Sequence, residues 1–399
     1  MREKTFRRYT IHVVLFLLTL VTTTIAGAEH ITGKFFAGWG MISPAGLLQW
    51  EDWIRGLPYA LSFLAFLSFH EFGHYFTSVY HKVKCTLPFY IPIYIPIPGA
   101  INIGSFGAVI RLKERPTSTK KYFDIGIAGP LAGFVISLGL LIYGFLNLPP
   151  LESYILQIHP EYMKDFGGVP SSATMEASLM AEGNVSYAIG TSLLFELLKN
   201  ILPIDPTQIP PHFELMHYPY LFVGYLTLFF TALNLLPIGQ LDGGHVIYGM
   251  FGPKISGLIS RLAVIVLLFL GGTGAIDLHG APGPFNVMGL ALTIFRVSLY
   301  FLFIAFILKR VLPIRSSWEL YLFTLALISL QILLKWIFPS LHMNLIWLFY
   351  AFLVVRFIGV DHPPALIEKP VNLPRKILGW FAILIFILCF SPEPLRVIG

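Results

Sequence analysis

Charge is scarce in this chain. Asp, Glu, Lys and Arg supply 12% of its 399 residues while 56% are hydrophobic, too lean a polar surface for a water-soluble fold of this size. The composition predicts a polytopic membrane protein. Cysteine is nearly absent, Cys85 and Cys389 being the two, which excludes a disulfide framework and a thiolate metal cluster. The two are expected at opposite membrane faces and therefore unpaired. Acidic side chains are fewer than basic ones, for a net charge of +6. That excess is expected on one membrane face, with no call for a nucleic-acid partner.

Long apolar runs are plentiful. A helix needs about 20 mostly apolar residues to cross hydrocarbon, and nine such stretches occur, near residues 9–27, 57–79, 123–146, 218–237, 258–273, 286–308, 318–338, 341–357 and 377–391. The expected fold is all-α with nine transmembrane helices. The first stretch follows "MREKTFRR" and is long for a cleaved signal, so it is read as a retained helix. Basic residues keep to the cytoplasmic side of short loops. They concentrate at the N-terminus and in 81–121, 309–315 and 356–376, leaving the acidic segment 148–217 outside and a fifth inside loop at 240–257. Arg296 is expected buried against a partner, and Lys335 near a helix end is expected to snorkel toward water.

The second stretch ends "FLSFHEFGHYFTSVY". An unpaired charge at the bilayer centre costs at least ~2.5–3.5 kcal/mol, so ionisable groups there face a protein interior and mark a function. On a helix, residues four apart share a face. His70 and His74 therefore converge with Glu71 beside them, the spacing at which two imidazoles bind zinc and a glutamate serves as general base. A catalytic zinc site needs a third protein ligand. The best candidate lies in "FFTALNLLPIGQLDGGHVIYG", where Asp242 follows a helix broken at Pro237 and precedes two glycines. His245 and His81 are weaker candidates, expected respectively as a supporting and an interfacial residue.

At these residues the chain resembles the site-2 protease family of intramembrane zinc metallopeptidases. The matching positions are His70, Glu71 and His74, then Asn234, Pro237, Leu241, Asp242 and Gly243. "FDIGIAGPLAGFVISL", with Gly129, Pro130 and Gly133, resembles the family's central core helix. The resemblance implies Zn2+ as cofactor, His70, His74 and Asp242 as its ligands, Glu71 as catalytic base and Asn234 as a group for the substrate backbone or the oxyanion. It implies an enzyme, a zinc metalloendopeptidase hydrolysing transmembrane segments of membrane-anchored substrates in regulated intramembrane proteolysis. The segment 148–217 is too short for the PDZ module of many bacterial members, which places the chain nearer the PDZ-lacking bacterial and plastid-type branch. His362 in "DHPP" is given no chemistry. A bacterial plasma membrane is expected, with the N-terminus and the site's opening toward the cytoplasm.

The organisation expected is an N-terminal helix and outside loop at 1–56, a catalytic core at 57–250 and C-terminal helices at 251–399. In "TLPFYIPIYIPIPGAINIGSFGAVIRL", Pro88, Pro92, Pro96 and Pro98 exclude helix and the later run reads as strand. This is expected to be a membrane-associated β-hairpin or re-entrant loop, able to pair with an extended substrate or merely to pack. Two rival readings are a proteolytically inactive scaffold or chaperone of the same fold and a transporter. The scaffold ordinarily loses a ligand or the glutamate, and neither is lost here. The transporter predicts internal repeats, and no second copy of either motif lies in residues 258–391.

Overall fold

In hydrocarbon every backbone N–H and C=O must be satisfied within the segment, and helices do this. Most of the chain accordingly coils into helix in the computed structural model, which describes residues 2–36, 46–95, 101–183, 186–275, 287–338 and 344–398. The helices are α1 (Arg2–Thr32), α2 (Trp50–Tyr80), α3 (Thr119–Leu146), α4 (Leu151–Ile158), α5 (Glu161–Asp165), α6 (Ser172–Glu182), α7 (Leu193–Ile201), α8 (Pro219–Leu235), α9 (Asp242–Ala275), α10 (Val287–Val311), α11 (Ser317–Ile337), α12 (Ile346–Leu353) and α13 (Leu373–Cys389). Strands β1 (Phe89–Pro92) and β2 (Ser105–Val109) form one antiparallel pair, β3 (Ser186–Ile189) and β4 (Leu395–Ile398) another.

Each predicted stretch overlaps a helix, although five helices among the described residues meet the length and hydropathy needed to cross a membrane. They are residues 9–32 of α1, all of α3 and α9, residues 292–311 of α10, and α11. α8 and the run 346–358 are apolar but shorter. α2 stands apart because Glu51, Asp52, Arg55, His70, Glu71 and His74 interrupt its apolar character.

Three expectations are corrected. The inside loop placed at 240–257 is helical from Asp242 and continues into the fifth stretch, with a break at Gly252 (φ 76°, ψ 178°) before Pro253. Proline cannot donate to the preceding turn and glycine accepts the positive φ, so the chain kinks instead of opening a loop. Arg296 is exposed on α10. Lys335 is buried at 5% exposure in the last turn of α11 and does not snorkel out.

The chain divides into two compact units, one of residues 1–117, 124–234 and 380–399, the other of residues 118–123 and 235–379. In the first, α1 packs along α2 through small residues. A Cβ on Gly56 would collide with the Thr24 carbonyl, and one on Gly27 would lie 2.7 Å from the Gly56 oxygen. The β1–β2 hairpin lies on the same two helices. Thr22 Oγ1 donates to the Gly104 carbonyl at 2.6 Å, and Tyr94 Oη and Asn102 Nδ2 donate to the buried Glu29 carboxylate at 2.6 and 3.1 Å. Gly104 takes φ +83°, and a Cβ there would sit 2.5 Å from Thr23 Cα. Gly104→Ala is expected to lower the melting temperature through strain of about 1–3 kcal/mol. An unchanged melt would show that the hairpin does not rest on α1.

In the second unit α9 contacts α10, α11 and α12. Gln331 Nε2 on α11 donates to the Leu268 carbonyl of α9 at 3.0 Å, and its Oε1 accepts from Tyr300 Oη of α10 at 2.8 Å. One buried amide thus joins three helices.

Candidate metal centre

One stripe of α2 is buried: Tyr59, Phe63, Phe66, then His70, Glu71 and His74 at 5–7% exposure. The opposite face shows Phe69, Phe76 and Tyr80 at 56–80% exposure. The helical period that buries the aromatic residues also turns both histidines inward. Their Nε2 atoms lie 3.1 Å apart, with ring centroids 4.8 Å apart.

That separation suits a metal. Two zinc–nitrogen bonds of about 2.0–2.1 Å at a tetrahedral angle set the nitrogens about 3.3–3.4 Å apart. His74 Nδ1 lies 2.7 Å from the Ile125 carbonyl of α3. A carbonyl only accepts, so Nδ1 carries the proton and donates it, leaving the Nε2 lone pair turned toward His70.

α3 makes room for the rings by lacking side chains. A Cβ on Gly129 would fall inside the His74 imidazole, and one on Gly133 would lie 2.8 Å from Phe66 Cε2 and 3.3 Å from His70 Nδ1. From α2, a Cβ on Gly73 would lie 2.6 Å from the Ala128 carbonyl. The small residues of "AGPLAG" let two helices meet at backbone distance, as in membrane helix pairs.

Glu71 is anchored from the hairpin. Its Oε2 accepts from the Ile110 N–H at 2.8 Å, directly after β2. One turn earlier on α2, Ser68 Oγ and Tyr90 Oη of β1 are 2.7 Å apart. The hairpin therefore touches the helix on both sides of His70. His81, expected at the interface, caps α2 with its Nε2 2.8 Å from Asp124 Oδ2. Asn234 is half-buried in the last turn of α8.

Asp242 belongs to the second unit, where it opens α9 instead of sitting in a plain turn. A helix N-terminus favours a negative side chain. The approach is tight: a Cβ on Gly243 would collide with the Leu235 carbonyl, and one on Gly244 with the Gly239 carbonyl. Three residues on, His245 Nδ1 lies 2.7 Å from His362 Nε2. His362 stacks on Tyr248 with centroids 3.8 Å apart and meets Tyr122 edge-on. Tyr248 Oη donates to Glu368 at 2.7 Å. Burial, then the neighbouring His245, pushes His362 down to about 3. The sequence reading gave His362 no chemistry. A histidine beside two prolines in a polar loop carries no helical spacing to show which partner it meets.

A helical protein with a paired-histidine, glutamate-bearing helix against a glycine-lined neighbour has the build of a membrane metallopeptidase. The Peptidase family M50 model matches residues 58–270, more than half of the chain. The chain belongs to this family, that of the site-2 proteases. It is similar to "Probable zinc metalloprotease EGY1, chloroplastic" of Arabidopsis thaliana, 29% identical over 283 residues, 68% of this chain and 45% of that protein. The protein of the same name in Oryza sativa subsp. japonica is 30% identical over 260 residues, 62% of this chain and 39% of that one. "Probable zinc metalloprotease EGY2, chloroplastic" of Oryza sativa subsp. indica is 28% identical over 212 residues, 53% of this chain and 32% of that one. This chain thus spans less than half the length of these curated relatives. All three are plant proteins named as chloroplastic, so the expected bacterial membrane finds no counterpart among them. No solved structure matches the chain.

Proposed function

We propose that this chain is an intramembrane zinc metalloprotease whose metal is held by His70, His74 and Asp242, with Glu71 as general base. The observation that carries this reading is the pair of buried imidazole nitrogens at 3.1 Å, one with its tautomer set by the Ile125 carbonyl. Asp242 as third ligand is supported by its place in the second motif, at a helix start that favours its charge. Bound zinc would supply Lewis acidity, polarising a peptide carbonyl and lowering the pKa of water toward ~7.

The chain's own residues do the rest. His74 donates at Nδ1 to Ile125 and so offers Nε2 for ligation. The Glu71 carboxylate takes a proton from the attacking water and delivers it to the leaving amine nitrogen. Asn234 hydrogen-bonds the unwound substrate backbone or the developing oxyanion.

The substrate class is a transmembrane segment of a membrane-anchored protein. A helical substrate hides its carbonyls in its own hydrogen bonds, so it must unwind before cleavage. The β1–β2 hairpin can receive the unwound strand by edge pairing, and exposed Phe106 and Val109 on β2 give it an apolar face. We place the catalytic core at 57–250 and the basic loops on the cytoplasmic side of the membrane, following the Lys and Arg distribution.

The test is zinc content of the detergent-purified chain. About one zinc at this centre in the wild type, lost in folded His70→Ala and Asp242→Asn variants, is the expected result. Zinc retained by both variants at wild-type occupancy would overturn the ligand assignment.

A further inference from the structure

The segment between α3 and α8 holds a second convergence of ligand atoms, all within the first unit. His159 follows α4 directly, while Glu214 precedes and His217 ends a 3₁₀ turn (Leu215–His217) immediately before α8. The two Nε2 atoms are 3.1 Å apart. Glu214 Oε2 lies 3.3 Å from His217 Nε2 and 3.9 Å from His159 Nε2. All three ligand atoms fall within 4.8 Å of one another.

The outer atoms of His159 and Glu214 are already committed. His159 Nδ1 lies 2.8 Å from Glu161 Oε1 and, as the only possible donor there, carries a proton. Its Nε2 therefore presents a lone pair to the cluster. Tyr162 Oη donates to Glu214 Oε1 at 2.8 Å and stacks its ring on His159, centroids 4.7 Å apart. Glu214 Oε2 is left buried and accepts no hydrogen bond, on a side chain only 1% exposed.

Hydrogen bonding alone does not close this arrangement. One proton on His217 Nε2 can serve either the His159 nitrogen or the Glu214 oxygen, leaving a second lone pair unsatisfied in a buried space, where that is costly. A divalent cation accepts all three lone pairs at once.

We propose that His159 Nε2, Glu214 Oε2 and His217 Nε2 form a second site for a zinc-type divalent transition metal, one that pins the end of α4 to the turn ahead of α8. Two imidazoles and a carboxylate are a borderline-soft donor set suited to zinc. Glu161 behind His159 and Tyr162 behind Glu214 are the outer partners that hold such ligands in place.

The test is equilibrium dialysis of the full chain in detergent against about 1 µM free zinc, with metal counted by mass spectrometry. Glu214→Gln, which keeps the Tyr162 contact, is expected to bind one equivalent fewer than the wild type. The His70→Ala/His74→Ala double variant is expected to keep one equivalent and to melt a few degrees higher when zinc is added. The two sites fail separately. Unchanged zinc in the double variant would overturn the ligands on α2 alone. Unchanged zinc in Glu214→Gln would overturn this second site. So would a folded double variant that neither binds zinc nor shifts its melt.

Discussion

Gly129→Ala is expected to empty the metal centre on α2 while leaving the chain folded. The three atoms nearest the added Cβ all belong to the His74 ring, so the imidazole must swing away or α2 and α3 must part. Either movement breaks the donation from His74 Nδ1 to Ile125 and moves Nε2 out of register with His70. Losing an outer contact typically costs 10–100-fold in metal affinity, and displacing the ligand itself is expected to cost more than that range. Gly139, ten positions along the same helix, is the control, because nothing lies within 4 Å of a Cβ built there. Zinc titration of Gly129→Ala beside Gly139→Ala decides the matter. Equal affinities would mean that the close approach of α3 does not shape the site.

Glu71→Gln is expected to lower peptide hydrolysis by at least about 10²–10⁴-fold, the usual contribution of a general base, with zinc content unchanged. The amide is nearly isosteric, and its oxygen can still accept from the Ile110 N–H that holds Oε2 in the native chain. What it cannot do is take up a proton. A drop in zinc occupancy would instead make Glu71 part of the metal-binding set. Hydrolysis at the native rate would remove it from the chemistry.

The helical positions were legible in the sequence because nine apolar runs leave the backbone few choices, and the i, i+4 spacing of His70 and His74 fixed their common face. The glycines of "AGPLAG" signalled a close contact, but their purpose depended on knowing which helix lay opposite. Glu29 gave no warning: it sits just past the first apolar run, yet it is buried and gathers Tyr94 and Asn102 from the hairpin. His362 and the His159–Glu214–His217 group were equally hidden, since their partners come from distant sequence. Residues 240–257 fall between two apolar runs and so read as a loop, whereas they are helical from Asp242 with a kink at Gly252.

The small sheet of β3 and β4 carries a topological parity. Its strands pair from Ser186↔Ile398 to Ile189↔Leu395, and Arg396 reaches Glu176 at 3.7 Å while half exposed, a charged pair whose cost in hydrocarbon argues for water around this sheet. Two strands paired in water lie on one side of any membrane. The chain between residues 189 and 395 must therefore cross it an even number of times. Among the described residues there, three helices are long enough on their own, α9, α10 and α11. If those three all cross, an odd count cannot return the chain to its starting side, and one of the shorter helices α8, α12 and α13 would have to cross as well; all six together would satisfy the rule.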